Sequence, residues 1–149
     1  MSIDTVFLIC NYGVMPFWLL LAIAPGWTWT GRLVHSILIP VVLGSVYLTG
    51  FLTAPPAPAG ASFGTLEGVM LFFSQPHGVL VGWVHYLVFD LFVGAWMVRD
   101  ARRRGLHHGF VVPCLALTLM LGPIGLLLYT TIRGIRDRVA TLVETPNVA

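Results

Sequence analysis

Long apolar runs, separated by glycine, proline and arginine, set the pattern of this chain. A helix that spans a bilayer needs about 20 predominantly apolar residues. Four segments reach that length, at about residues 5–23, 33–51, 79–98 and 110–132. The pattern therefore predicts an all-α integral membrane protein, in which a four-transmembrane-helix bundle forms a single domain over residues 1–149.

The connections between these runs differ in length and composition. A proline-rich stretch, residues 54–60, follows the second run, and the apolar segment 66–75 comes after it. Because proline has no backbone N–H, we expect no helix in the stretch. The apolar segment predicts a short interfacial helix between helices two and three. Gly122 and Pro123 interrupt the fourth run, so we expect a kink there that leaves room at mid-depth.

The scarcity of charge supports a membrane location. Charged residues make up 9% of the chain, against about 25% in a typical soluble domain. All eight basic residues are arginines that bracket apolar runs, which indicates membrane topology and not a nucleic-acid surface. The arginine-rich connection, residues 99–108, is expected to be cytoplasmic, and an even number of spans places both termini on the other face. The three arginines after the fourth run would then lie on that other face too, so the orientation stays open.

Several kinds of chemistry are not indicated. Cys10 and Cys114 both lie inside apolar runs and show no C-x-x-C spacing, so we interpret them as small buried hydrophobes. The five histidines do not form the cluster of a membrane di-iron oxygenase, and no haem-attachment motif or glycine-rich phosphate loop is present. We therefore expect neither a metal nor a cofactor.

The run from Trp83 to Phe92 places His85 and Asp90 inside a segment apolar enough to span a bilayer. An ionisable group at that depth costs about 2.5–3.5 kcal/mol on insertion scales. Five residues correspond to about 140° around a helix, so the two side chains do not face each other directly. Two interpretations stay open, in which they are acid–base groups in a dry pocket or separate structural partners on neighbouring helices.

Other polar or small residues have simpler interpretations. Asn11, in the middle of the first run, fits an interhelical hydrogen bond. Asp100 stands beside arginines and fits a surface ion partner. The Gly78–Gly82 spacing permits close helix contact. Glu67 and His77 flank the short apolar segment and could close over a site.

Some of these residues also occur in a pattern that resembles a known family. The specific part is the spacing of Trp83-x-His85, Asp90-Leu91-Phe92 and Asp100. Together with Gly122-Pro123-Ile124-Gly125 it resembles the neoxanthin synthase family, small membrane proteins linked to abscisic acid deficiency in plants. Further matching positions are Phe73-Ser74, Asn11 with Pro16, and Ala24-Pro25.

The resemblance implies four spans and carotenoid chemistry, in which a 5,6-epoxide of violaxanthin becomes the allene of neoxanthin. That conversion needs an acid for the epoxide oxygen and a base for a proton of the adjoining polyene. We therefore predict a carotenoid or isoprenoid isomerase with Asp90 and His85 as catalytic groups. The substrate-binding candidates are Asn11, Trp83, Phe89, Trp96 and Asp100.

The alternative is a non-enzymatic carotenoid-binding or scaffold subunit of the membrane. The expected partners under both interpretations are the lipid bilayer and a carotenoid or other long isoprenoid, with no nucleic acid. We expect a multi-pass protein of a bacterial inner membrane and leave homo-oligomerisation open.

Overall fold

The computed structural model of the protein describes residues 1–138 and 140–142. This part of the chain contains helices and no strand, which confirms the predicted all-α class. The helices in chain order are α1 (Ile3–Gly13), α2 (Met15–Ile23), α3 (Thr28–Leu33), α4 (Leu38–Leu52), α5 (Leu66–Phe73), α6 (Pro76–Arg103), α7 (His108–Leu121) and α8 (Pro123–Asp137).

Three helical stretches in the described residues are long and apolar enough to cross a membrane. They are Ile3–Ile23, which joins α1 and α2; Thr28–Leu52, which joins α3 and α4; and Pro76–Arg103, which is α6. They match the first three predicted spans. The 28 residues of α6 extend about 42 Å, which exceeds the hydrocarbon core of about 30 Å.

The predicted short helix is present as α5, and it packs closely on the start of α6. Thr65 caps it by accepting a hydrogen bond from the Gly68 amide at 3.0 Å. A side-chain carbon at Gly78 would collide with the Phe72 carbonyl oxygen, and one at Gly82 would collide with the Phe73 ring. The two glycines therefore permit the close contact that their spacing predicted, whereas the interfacial position of α5 stays a prediction.

The fourth predicted span, residues 110–132, is not a single helix. α7 ends before Gly122, whose φ of 30° and ψ of −87° break the helix, and α8 begins at Pro123. A side-chain carbon at Gly125 would collide with Thr118 and with the Cys114 carbonyl oxygen, so α8 folds back along α7. The prediction of one kinked helix with room at its centre is wrong, because the chain reverses and backbone occupies that space.

The contacts group the chain into two compact units. The first unit contains Met1–Met15 and Ile37–Phe89, and the second contains Pro16–Ser36 and the chain from Asp90 onward. The boundary on α6 falls between Phe89 and Asp90. The single domain predicted from the sequence stays a prediction, and each unit is described by itself below.

The two cysteines occupy the apolar interior, as their sequence context predicted. Cys10 is 4% exposed and Cys114 is fully buried, and both are free thiols. Cys114 belongs to the α7–α8 hairpin, where its carbonyl oxygen meets Gly125. Both side chains therefore act as small hydrophobic packing groups.

Candidate functional site

The first unit contains a cavity of about 510 Å³, within the range of about 300–1,000 Å³ that small-molecule sites occupy. Its wall is formed by α4, by the connection between α4 and α5, which contains the proline-rich stretch and Phe63, and by the chain from α5 to the first turns of α6. Most of the wall is apolar or aromatic, with Phe63 and Phe72 stacked at a centroid distance of 4.6 Å. The lining residues that carry side-chain polar atoms are Tyr47, Gln75, His77 and His85.

His85 is the predicted catalytic residue that lines this cavity. Its imidazole lies between two aromatic rings, with centroid distances of 5.9 Å to Tyr47 and 4.6 Å to Phe89. The side chain is exposed and therefore accessible to a ligand. An accessible imidazole in an apolar wall has the means to accept or donate a proton at a bound substrate.

Tyr47 is one of two polar cavity residues that sequence analysis missed, the other being Gln75. Tyr47 stacks on Phe51, one helical turn later, at a centroid distance of 6.4 Å, and its ring meets that of His85. A tyrosine in an apolar helix resembles any other aromatic packing residue in sequence. The signal that would have found it is spatial, because 38 positions separate it from His85.

His77 also lines the cavity, from the first turn of α6. The sequence placed it at the edge of a site, together with Glu67. Glu67 lies in the first turn of α5, next to the Thr65 cap. His77 and His85 are eight residues apart on α6, or about 12 Å along its axis, so they reach different parts of the cavity.

Asn11 and Trp83 form a separate contact in the first unit. The Trp83 Nε1–H donates to Asn11 Oδ1 at 3.2 Å, which confirms the interhelical hydrogen bond expected for Asn11. Trp83 also packs against Phe7 and Tyr86, at centroid distances of 5.7 and 5.4 Å. These contacts join α1 to α6, and among the described residues neither partner lines the cavity.

Asp90 lies in the second unit, at the turn between α7 and α8. It is the fifteenth of 28 residues in α6, so it occupies the middle of that helix. A side-chain carbon at Gly122 would lie 2.8 Å from Asp90 Oδ1 and 3.3 Å from Oδ2. Gly122 is the N-cap of α8, and the first N–H groups of a helix favour a nearby negative charge. The geometry supports the structural interpretation of Asp90 that the sequence left open.

Asp100, expected at the surface, is fully buried at the end of α6. The Tyr129 hydroxyl donates to its Oδ2 at 2.8 Å, and Arg104 Nε donates to Oδ1 and Oδ2 at 3.0 and 3.1 Å. Arg133 Nε lies 3.2 Å from Oδ2, and Arg103 contributes a longer ion pair of 3.8 Å. Asp100 is thus an ion partner, as predicted, but at the centre of a buried network.

The network around Asp100 extends to neighbouring side chains. Arg104 also forms an ion pair of 3.0 Å with Asp137. Although burial opposes the charge of Arg104, hydrogen bonds to Asp100 and Asp137 hold its pKa above the ordinary value. Trp96 packs edge-on against Tyr129 at a centroid distance of 5.5 Å, which gives this predicted binding residue a packing role in the second unit.

The predicted site residues therefore divide between the two units. The first unit contains His85, which lines the cavity, Phe89, whose ring packs against His85 without lining the cavity, and the Asn11–Trp83 pair. The second unit contains Asp90, Trp96 and Asp100. In the part of the chain that the structure describes, no group of three or more histidine, cysteine or acidic side chains is placed to bind a metal ion.

Comparison with known proteins identifies a family. The sequence model of the ABA DEFICIENT 4-like family matches residues 5–129. That range contains all the predicted site residues and extends from α1 to Tyr129 in α8. No curated protein and no solved structure matches the chain significantly.

Proposed function

Because the chain belongs to the ABA DEFICIENT 4-like family, we propose that it is a carotenoid or isoprenoid isomerase that transfers protons in a membrane-embedded cavity. Membership of this family suggests a role related to carotenoid and neoxanthin biosynthesis. The observation that supports an isomerase is the cavity of the first unit, where His85 and Tyr47 meet inside an aromatic wall.

The proposed reaction converts an epoxide on an end ring into an alcohol and an allene. A proton is added to the epoxide oxygen as its C–O bond breaks, and a proton leaves the adjoining polyene carbon to form the new double bond. One proton enters and one leaves, so the formula and the oxidation state are unchanged. The site must therefore supply one acid and one base within reach of a single ring.

We assign these two roles to adjacent side chains of the cavity. Neutral His85 accepts the carbon-bound proton, and the Tyr47 hydroxyl donates to the epoxide oxygen. Proton transfer from His85 to Tyr47 then restores both groups, since their rings are neighbours. In this proposal the bound end ring fills the apolar cavity and displaces water, which would otherwise open the epoxide to a diol.

The shape of the cavity suits one end of a long, flat ligand. The stacked pair Phe63 and Phe72 offers planar surfaces to such a ligand, and the Phe89 ring packs against His85. An end ring enters the cavity in this proposal, and the polyene continues into the bilayer. A wall role for Phe89 stays a proposal. Ligand binding also remains a proposal for four other residues, which have the contacts described above: Asn11, Trp83, Trp96 and Asp100.

The alternative function is a carotenoid-binding or scaffold subunit without turnover. It is supported by the polar groups that have structural partners, such as Asn11 with Trp83 and the buried Asp100 with Arg104. The same cavity would then hold pigment, and His85 would act only as part of its wall.

One experiment separates these functions. The protein is produced in a bacterial host that makes epoxidised carotenoids, then purified, and its pigments are extracted and identified. We expect bound polyene and conversion by the wild type, and a loss of about 10²–10⁴-fold in rate for His85→Gln with pigment still bound. His107→Asn is the matched control, because His107 is exposed and caps α7, a role that asparagine also fills.

The outcomes are distinct. Bound pigment without any conversion by the wild type would favour the binding subunit. Conversion by His85→Gln at the wild-type rate would remove His85 from the mechanism. A Tyr47→Phe variant, which keeps the ring and loses the hydroxyl, tests the proposed acid in the same assay.

We further infer that the protein is a multi-pass component of a bacterial inner membrane. The three candidate spans support several crossings. The sequence predicts a fourth crossing. The alternative is that α7 and α8, of 14 and 15 residues, form a hairpin that does not cross the membrane.

A further inference from the structure

All eight arginines of the chain belong to the second unit. Hydrogen bonds from arginine side chains to backbone carbonyl oxygens bring the segments that contain them to one end of this unit. Arg102 donates to the Pro25 carbonyl oxygen at 2.9 Å, which joins the end of α6 to the α2–α3 connection. Arg136 donates to the Gly105 carbonyl oxygen at 2.9 Å, which joins the end of α8 to the α6–α7 connection. The three groups of arginines, distant in sequence, thus meet at the same end.

The carboxylates at this end do not balance the charge. Asp100 and Asp137 are the two acidic residues there among those described, and the largely buried Arg104 binds both. Eight arginines less two carboxylates leave six positive charges. Asp90 precedes Asp100 by ten residues, or about 15 Å along α6, and so does not lie at this end of the unit. The exposed members, called the arginine face below, are Arg32, Arg102, Arg103, Arg136 and Arg138.

Two tryptophans accompany the arginine face. Trp27 and Trp29, in the α2–α3 region, are 54% and 48% exposed. The Arg32 guanidinium lies 5.4 Å from the centre of the Trp29 ring. Tryptophan is enriched where membrane hydrocarbon meets headgroups, and arginine binds phosphate through two parallel N–H donors. The combination matches the chemistry of an anionic lipid surface.

We propose that the arginine face binds the headgroups of anionic phospholipids in one leaflet, with Trp27 and Trp29 at the boundary between headgroups and hydrocarbon. Juxtamembrane clusters of basic residues attract anionic lipid, and the attraction is screened by salt. The proposal is independent of the cavity and of any reaction there.

The test uses the full-length protein in nanodiscs of phosphatidylcholine mixed with phosphatidylglycerol. The measured quantity is the phosphatidylglycerol bound per folded protein at several salt concentrations. We expect enrichment over the bulk mixture that falls as salt rises. Replacing Arg32, Arg103 and Arg138 with glutamine should lower the affinity more than about tenfold, whereas lysine at the same positions should retain most of it.

Three results would overturn the proposal. They are no enrichment of phosphatidylglycerol by the wild type, enrichment that salt does not change, and equal enrichment by a folded glutamine variant. If the glutamine variant fails to fold, the salt titration of the wild type decides alone. A parallel measurement with inorganic phosphate distinguishes a lipid headgroup from free phosphate as the ligand. Saturable binding of free phosphate without any preference for phosphatidylglycerol would also refute the proposal.

Discussion

Asp90 illustrates at the scale of one residue why sequence left two interpretations open. A carboxylate in the middle of a spanning segment suggests a functional site by default. Its neighbour in the structure is Gly122, which lies in another helix pair and cannot be assigned from local spacing. The backbone at that turn has lost helical hydrogen bonds, and such groups must be satisfied within the membrane. A carboxylate near that turn places a negative charge at the N-terminus of α8, which is a structural role that needs no catalysis.

Substitution of Asp90 separates the structural and catalytic interpretations. If the carboxylate supports the N-terminus of α8 by its charge, Asp90→Asn should keep most of the stability, since asparagine has nearly the same shape and the charge contributes only about 0.3–1 kcal/mol. Asp90→Leu should lower the free energy of unfolding by about 0.3–2 kcal/mol through the lost charge at the helix N-terminus, and by more if the larger side chain disturbs Gly122. Thermal unfolding in detergent and pigment conversion are measured together. A stable Asp90→Asn protein that no longer converts its pigment would make Asp90 catalytic after all.

The Asp100 network predicts a graded series of stability losses. Asp100→Asn leaves Arg104 and Arg133 without their buried anion, and breaking such a pair typically costs about 3–5 kcal/mol. Tyr129→Phe removes one hydrogen bond to a charged group, worth about 1.5–3 kcal/mol. Arg138→Gln, at an exposed position, should change stability by less than about 0.5 kcal/mol. Denaturant unfolding checks the order, and equal losses for Asp100→Asn and Arg138→Gln would mean that the network contributes little.

At the scale of elements, apolar length predicted the helices well, because the length of an apolar run follows from the thickness of the bilayer. The short helix α5 and the Gly78–Gly82 contact were also visible in sequence. The turn at Gly122 was underestimated. A glycine–proline pair weakens a helix, but it does not determine the angle through which the chain turns. The angle depends on the packing of Gly125 against α7, which is a tertiary contact.

The two glycines at the α5–α6 contact should respond differently to alanine. At Gly78 a methyl group would collide with the Phe72 backbone, which cannot move alone, whereas at Gly82 it would meet the mobile ring of Phe73. We expect Gly78→Ala to destabilise the protein, and Gly82→Ala to keep the fold but lower the pigment bound per folded protein, since Phe73 lines the cavity.

The matched control for these variants is Gly44→Ala in α4, where no atom lies within 4 Å of the added carbon. Alanine there should stabilise the helix by about 0.5–1 kcal/mol. Unfolding free energy and extracted pigment are measured for all three variants. A Gly78→Ala protein as stable as the Gly44→Ala protein would show that α5 does not pack on α6 in this way.

At the scale of the whole molecule, a topology of three crossings and a hairpin would remove the conflict in charge that the sequence presented. With four crossings, the arginines after the last helix lie on the face opposite to those of residues 99–108. In the second unit α8 returns along α7, so that Arg133 binds Asp100 and Arg136 binds the Gly105 carbonyl oxygen. All the arginines then lie at one end, which agrees with the positive-inside rule. Charge counting in sequence could not reach this result, because it assumed that each apolar run crosses the bilayer.

Reporter fusions decide between four crossings and three crossings with a hairpin that enters and leaves by the same face. Fusions are placed after Gly60, at Gly105 and after Leu142. With three crossings we expect Gly105 and Leu142 to share the cytoplasmic face and Gly60 to lie on the other, because α7 and α8 extend only about 21–23 Å each against a core of about 30 Å. With four crossings Gly60 and Leu142 share a face. A Leu142 reporter on the periplasmic face would therefore mean that the hairpin opens into a continuous span in the membrane, and Asp90 would then lose the turn at Gly122 that gives it a structural partner.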